Sequence, residues 1–275
     1  MKICILGGCG YIGSVLTEKL VQKNHVKVID IQWFGNELKK HKNLKIVKKD
    51  IRNLELKDLK GYDVLIHLAN IANDPTVELK PTLSWEVNVL ATMHIAELAV
   101  KAKIKKIIFS SSGSVYGVKK EKNVTENLSL KPISVYNKTK MIAERVLLSY
   151  SKKLKVYCIR PATVCGYSPK MRFDVSVNML TLQALKKKTI NVFGGKQIRP
   201  NIHIKDLTNL FYTLIFKNID PGIYNAGFEN IKIIDLAKKI KNKIPSTINV
   251  TRSNDPRSYR QNSDKILKTG FIKKY

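Results

Sequence analysis

The chain lacks any long apolar run. Uninterrupted hydrophobic stretches such as Ile107-Ile108-Phe109 last only a few residues, far short of the roughly 20 that a membrane-spanning helix requires, so no such helix is expected. The opening Met1 to Leu6 is too short for the core of a secretion signal and runs into glycines instead of a cleavage site, so a cytoplasmic location is expected. Cysteine is scarce. Cys4, Cys9, Cys158 and Cys165 show neither a CxxC spacing nor a histidine at metal-ligand spacing, which predicts free thiols and no metal site. Acid is also scarce: 21 Asp and Glu stand against 50 Lys and Arg, a formal net charge of +29. Yet arginine supplies only 8 of the 50 basic residues. Nucleic-acid readers rely on arginine for paired and stacked contacts and gather charge into patches. The 42 lysines are instead spread along the chain, as at Lys39-Lys40, Lys152-Lys153, Lys186-Lys187-Lys188 and Lys238-Lys239. They read as solvated surface, and no specific nucleic-acid partner is expected. The positive field would still draw in an anionic substrate.

What is present is apolar material in alternating periods. Hydrophobic residues make up 44% of the 275, enough to build a sizeable core and to exclude a disordered chain. Short branched runs at 2–6, 26–30, 44–47, 63–68, 106–110 and 155–160 read as strands. Helical periodicity fills the stretch from Tyr11 to about Lys23, then 84–102 and 134–153. Strands alternating with helices predict βαβ crossovers and a mostly parallel, doubly wound α/β sheet. From about 161 the pattern loosens around Pro161, Gly166, Pro169, Gly194-Gly195, Pro200 and Pro221-Gly222. A domain over 1–160 and a smaller mixed α/β lobe over 161–275 are expected, with some of the later elements returning to the main sheet.

Gly7, Gly10 and Gly13 follow the first strand directly and open a helix. Glycine there permits a tight turn and lets a pyrophosphate approach backbone N–H groups at the positive helix end. Asp30 stands 17 residues past Gly13 at the end of the next strand, where a carboxylate can bind ribose hydroxyls. Such an acid repels a 2′-phosphate, and no arginine lies within the next 20 residues, so NAD is favoured over NADP. Asp50, before Ile51, can accept from an adenine amino group or cap the segment that follows. His67 reads as a core histidine. Asn88 reads as a buried amide or as a group binding backbone or water near the site.

Tyr136 and Lys140, four residues apart, fall on one face of the helix that begins near Ser134. An ammonium beside a phenol lowers its pKa from the usual ~10, which makes a general base. In a chain this rich in lysine the pairing can also be coincidental. Upstream, Ser110-Ser111-Ser112 closes a buried strand at the edge where open α/β sheets bind ligands. Ser112 there can donate to the oxygen from which Tyr136 takes a proton.

These motifs resemble the extended short-chain dehydrogenase/reductases, in particular their NAD-dependent nucleotide-sugar epimerase/dehydratase branch. The likeness is carried by Gly7 to Gly13, His67-Leu68-Ala69, Asn88, Ser110 to Gly117, Tyr136 to Lys140, Arg160-Pro161-Ala162 and Arg199 to Ile204. The resemblance implies a Rossmann-type sheet with a C-terminal substrate lobe. Tyr136 is then the catalytic base and acid, Lys140 holds the nicotinamide ribose, and Ser112 polarises the sugar oxygen. It places Gly7, Gly10, Tyr11, Ile12, Asp30, Asp50, Ile51, Leu68, Ala69 and Asn88 around NAD. The 4,6-dehydratases of the superfamily carry an Asp-Glu pair after the catalytic hydroxyl residue, where this chain has Gly113-Ser114. Epimerisation at C4 through a keto sugar is therefore expected. A nucleotide-sugar reductase or dehydrogenase that releases its cofactor, and a non-catalytic NAD- or RNA-binding relative, are the alternatives.

For the nucleotide sugar the resemblance points to Asn178 in the segment from Arg172, with Arg199 and Arg252 or Arg257 at the diphosphate. Arg257 can equally sit in a surface ion cluster with Asp255 and Arg260. Cys165 stands where the family more often has an aromatic residue and reads mainly as a pocket-lining side chain. Family members usually continue past the counterpart of Gly270-Phe271, which leaves closure over the substrate less defined by the resemblance than cofactor binding. A homodimer packed through the helices at 84–102 and 134–153 is expected on the same basis.

Overall fold

A computed structural model describes residues 1–253 and 258–275. Its centre is a seven-stranded sheet made from β1 (Lys2–Leu6), β2 (His25–Asp30), β3 (Leu44–Lys48), β4 (Val64–His67), β5 (Lys106–Ser110), β6 (Lys155–Pro161) and, from much later, β10 (Gly222–Ala226). The order is β10-β6-β5-β4-β1-β2-β3 and every pairing is parallel. Alternation sorts the side chains to the two faces. Ile3 and Ile5 pack on one side with Leu16, Leu20, Leu207 and Phe211. Cys4 and Leu6 pack on the other with Ile95, Ala96, Ala143 and Leu147. Burial on both faces explains why these strands are near-continuous apolar runs.

The first face is covered by α1 (Tyr11–Leu20), and the second by α2 (Leu56–Leu59), α3 (Asp74–Leu79), α4 (Pro81–Trp85), α5 (Ala91–Lys101) and α6 (Val135–Ser149). The helix expected over 84–102 is interrupted. Glu86–Leu90 forms a π-helical turn between α4 and α5, and Asn88 sits inside it, a distortion that recurs at functional sites. Apart from β10, the strands after β6 make smaller sheets. β7 (Thr163–Cys165), β9 (Ile198–His203) and β11 (Glu229–Lys232) form one, in the order β11-β9-β7, and β8 (Thr189–Phe193) pairs with β12 (Thr247–Thr251) in another. α7 (Ser176–Lys187) and α9 (Ile233–Lys243) share an apolar cluster with β8. α8 (Ile204–Phe216) returns to the main sheet beside α1 and β5, and α10 (Asp264–Leu267) lies against β10.

Successive crossovers run from β1 to β2 on one side and to β4 on the other, so the direction of winding reverses at β1. The carboxyl ends of β1 and β4 therefore frame a crevice. A buried ion pair braces the neighbouring strand: Arg160 on β6 donates to Glu144 on α6 and, at 2.7 Å, to the Tyr116 hydroxyl, which in turn donates to Asn225 on β10 at 2.8 Å. Removing one partner of such a pair strands a buried charge, which fits the Arg160-Pro161-Ala162 motif to a structural role.

Candidate active site

The glycine turn follows from local sterics. Gly7 has φ +82°, and a Cβ built there would lie 2.5 Å from the Ala69 nitrogen. A Cβ at Gly13 would lie 2.3 Å from the Gly7 carbonyl oxygen, whereas at Gly10 the nearest atom is 3.4 Å away. Two glycines are thus required by backbone packing, and the third leaves one side of the turn open at the start of α1. Leu68 and Ala69 donate from their N–H groups to the Leu6 carbonyl at 2.8 and 2.9 Å, which brings the ends of β4 and β1 together beside that turn. The Asp30 carboxylate accepts from the Cys9 N–H at 3.0 Å and the Gln32 N–H at 2.7 Å. Two bonds leave it further lone pairs for a ligand. We expect Gly13→Ala to cost about 1–3 kcal/mol by overpacking and to lower NAD affinity, as denaturation and dinucleotide titration of the variant would show.

Across the crevice, Ser134 caps α6 by accepting from the Asn137 N–H at 3.1 Å and donates to Asp74 at 2.6 Å. The cap sets the start of α6, so Tyr136 comes half-buried in its first turn. The Ser112 side chain lies close enough to the Tyr136 phenol to favour its ionised form. Ser112, two residues past β5, caps the 3-10 turn Gly113–Tyr116, and its hydroxyl meets the Ser114 hydroxyl at 2.8 Å. Burial raises the Tyr136 phenol, Asp74 raises it further, and Arg172 and Ser112 lower it. Lys140 is buried one turn on. Its ammonium donates to the Ser110 carbonyl at 2.7 Å and lies 4.7 Å from the centre of the Phe109 ring, and burial lowers its pKa to about 7. The four-residue spacing does place both side chains on one helix face. The Lys140 ammonium is nevertheless turned to the Ser110 carbonyl at the end of β5.

A model of the NAD dependent epimerase/dehydratase family matches residues 3–227. The chain belongs to this family. It is 28% identical over 298 residues to a UDP-glucose 4-epimerase of Lactobacillus helveticus, which covers 96% of this chain and 89% of that one. An uncharacterized UDP-glucose epimerase of Bacillus subtilis is 33% identical over 265 residues, with 88% and 81% covered. Among solved structures, UDP-glucuronic acid 4-epimerase from Bacillus cereus, in complex with UDP-glucuronic acid and NAD, superposes with a TM-score of 0.87 at 26% identity, covering 100% of this chain and 95% of that one.

NAD is the cofactor of this epimerase/dehydratase family, and the crevice fits it: an open glycine face, an oriented carboxylate at Asp30 and a buried lysine converge there. The other expected NAD contacts divide. Ile12, Leu68 and Ala69 are partly exposed along the crevice. Tyr11 donates from its hydroxyl to the Gly166 carbonyl at 2.7 Å and so ties α1 to the segment after β7. Asn88 spends its amide on the Ile71 backbone and the Thr139 hydroxyl, fixing the loop after β4 against α6. Asp50 caps a short 3-10 turn and takes both a backbone and a forked side-chain contact from Arg52, so the capping role is the one observed. The Ile51 side chain is in the core. His67 is fully buried with a pKa of about 3, the core histidine that was read from the sequence.

On the substrate side, Asn178 is buried and fully engaged. It accepts from the Gly166 N–H and donates to the Tyr11 hydroxyl and the Arg172 carbonyl. Its amide therefore ties the start of α1 to the segment between β7 and α7. Cys165 is half-buried, and burial lifts its thiol to about 11, which suits a pocket-lining side chain better than a proton donor. Arg199 lies on β9, opposite Ile231 of β11. Arg252 is exposed just after β12. Arg257 and Asp255 lie outside the described residues. Reading the sequence missed Arg172 as a cation near Tyr136. Its one signal was an arginine two residues before Asp174 in a chain with few arginines.

Among the described residues no cluster of His, Cys, Asp and Glu could hold a metal ion, and no helix is long and apolar enough to cross a membrane. Lysine runs at 39–40, 152–153, 186–188 and 238–239 are exposed, whereas Lys119 is buried with its ammonium on Ser129.

Proposed function

We propose that the protein is an NAD-dependent nucleotide-sugar epimerase that acts at C4, with Tyr136 as base and acid. The observation that carries this is that Tyr136, Ser112 and the buried Lys140, whose ammonium donates to Ser110, gather at one edge of the sheet, with Gly113-Ser114 where a dehydratase carries its acidic pair. A Cβ at Gly113 would lie 3.0 Å from the Gln261 side chain and 3.2 Å from the Pro161 carbonyl, so a side chain there would meet tight packing. The relatives named as UDP-glucose epimerases support the same substrate class.

In this reading the glycine turn and the N–H groups at the start of α1 take the pyrophosphate, Asp30 takes a ribose diol, and Lys140 takes the nicotinamide ribose. When bound, NAD supplies a reversible hydride acceptor. Ser112 donates to the sugar C4 oxygen while the Tyr136 phenolate removes its proton. The ketone that results rotates in the pocket, and Tyr136 returns the proton to the oxygen presented from the opposite face. Asn178 keeps the Arg172 loop over the crevice, and Arg199, with Arg252 or Arg257, is assigned to the diphosphate.

The test is incubation of the purified protein with UDP-, GDP-, CDP- and dTDP-sugars, with products read by NMR. The proposal expects a mixture of C4 epimers with no net reduced cofactor. Net production or consumption of NADH would favour the dehydrogenase or reductase instead. We also propose a homodimer through α5 and α6 with the turn that precedes them, where Leu90 and Met93 are exposed. Sedimentation should give twice the 31.3 kDa chain mass, and a monomer would contradict it.

A further inference from the structure

We propose that Gln261 is a positioning residue for Ser112: its buried side chain, anchored on the Arg160 carbonyl and wedged against Gly113 and Gly227, seats the turn that carries the Ser112 hydroxyl. The inference rests on the reading of Ser112 as the group that polarises the sugar oxygen. Gln261 is 2% exposed, and its Nε2 donates to the Arg160 carbonyl at 2.7 Å. A carbonyl only accepts, so this bond fixes which end of the amide is nitrogen. Oε1 is left toward the two glycines: a Cβ built at Gly113 would lie 3.0 Å from that oxygen, and one at Gly227 2.8 Å from it. Further atoms close the same spaces, the Pro161 carbonyl 3.2 Å from the first Cβ and the Ala162 Cβ 2.8 Å from the second. Neither glycine holds a positive φ, so packing and not backbone freedom disfavours larger residues at both positions. Oε1 itself is buried without a hydrogen-bond partner among the described residues, an exception to the usual pairing of buried polar groups. The side chain is thus kept in place by its anchor and by close packing.

The wedge is itself fixed from two sides. The Gln261 N–H donates to the Asn230 side-chain oxygen at 2.9 Å, and its carbonyl accepts from the Asn230 side-chain nitrogen at 3.2 Å. Asn230 lies on β11 opposite Pro200 of β9, the neighbour of Arg199. On the other side Gln261 forms a parallel bridge with Val124, whose N–H donates to the Arg260 carbonyl at 2.8 Å and whose carbonyl accepts from the Asn262 N–H at 2.9 Å. Gly113 opens the 3-10 turn that Ser112 caps, and the Ser112 hydroxyl accepts from the Ser114 N–H at 3.2 Å. Contacts therefore run from the strand of Arg199, through Asn230 and Gln261, to the turn of Ser112. In the proposed reaction one end of this path is assigned to the diphosphate and the other to the sugar oxygen, so Gln261 sets their relative placement. A misplacement of about 1 Å is enough to cost on the order of 10²-fold in rate.

The test follows the Ser114 amide by hydrogen exchange without added nucleotide sugar, and then measures turnover. Gln261→Ala, which removes the wedge, should speed exchange at Ser114 by about tenfold or more, with the Ser14 amide at the start of α1 within about threefold of the parent. On a nucleotide sugar it should lower kcat by about 10–100-fold with KM held within about threefold. Gln261→Met fills nearly the same volume without the donor to Arg160, and should speed Ser114 exchange and lower kcat by about threefold or more. Unchanged Ser114 exchange in a Gln261→Ala protein that folds as judged by circular dichroism overturns the proposal. So does faster exchange with kcat unaltered, or a loss that falls on KM alone. Should Gln261→Ala not fold, Gln261→Met decides, and an unaltered Ser114 amide or kcat there overturns it. Because the exchange readout needs no turnover, a protein that converts no nucleotide sugar defeats the proposed function while the seating of the turn is still measured.

Discussion

Replacing Tyr136 by Phe is expected to lower turnover by about 10²–10⁴-fold while NAD still binds. The phenol lies near Ser112, on the side assigned to the substrate. The residues assigned to the dinucleotide, Asp30 and the glycine turn, are held by bonds that do not pass through Tyr136. The ring of Phe fills the same half-buried place, so folding should change little. Burial keeps the phenol of the resting protein above its usual range. In the proposed mechanism the base form is favoured by positive charge and by Ser112, and the variant removes the group assigned to accept the sugar proton. Rates on a nucleotide sugar, together with dinucleotide titration, check this. A loss below tenfold would contradict the role.

The second large effect is on stability as well as activity. Lys140 is 3% exposed and its pKa falls from 10.5 to about 7 because burial penalises the ammonium. In the unfolded chain the same group holds its proton up to 10.5. Between pH 7 and 10.5 the unfolded state thus binds more protons than the folded one, and stability rises with pH across that window. Below pH 7 both states are protonated and the full penalty of burying the charge is present. Lys140→Met removes the penalty. It should stabilise the nucleotide-free protein at pH 6 by on the order of 2–4 kcal/mol, after allowance for the lost bond to Ser110. The gain should shrink as the pH approaches 10.5. The same change should abolish most of the proposed epimerase activity, since it removes the residue assigned to the nicotinamide ribose. Urea unfolding of parent and variant at pH 6 and pH 10 reads the first effect. A gain that does not depend on pH would contradict the assigned burial.

Much of the sheet is legible in the sequence because its strands are short branched runs that alternate with helices at the expected lengths. β1 to β6 lie within a residue or so of the apolar runs. The glycine turn is legible for the same reason, since backbone contact at Gly7 and Gly13 leaves no choice of residue. Other features are not local. A π turn at 86–90 barely disturbs helical periodicity, so α4 and α5 read as one helix. Pro75 and Pro81 start short helices, which hides them among turn signals. The capping reading of Asp50 is decided by Arg52, two residues on, and by its further bond to Glu86 across the fold. Lys140 shows the limit of spacing arguments: periodicity fixes the face of a helix but not where a four-carbon side chain ends. Arg172 is 36 residues from Tyr136 and on another element, and only tertiary structure brings them near each other.

The central claim is that a single sugar carbon is oxidised and then reduced again within one crevice, with Tyr136 handling its oxygen's proton. A UDP-hexose carrying deuterium at C4, incubated with the protein in ordinary water, tests this most directly. The account predicts product of inverted C4 configuration that keeps its deuterium, with none in the Tyr136→Phe protein. Product that has exchanged the label for solvent hydrogen, or that is altered at another carbon, would contradict it.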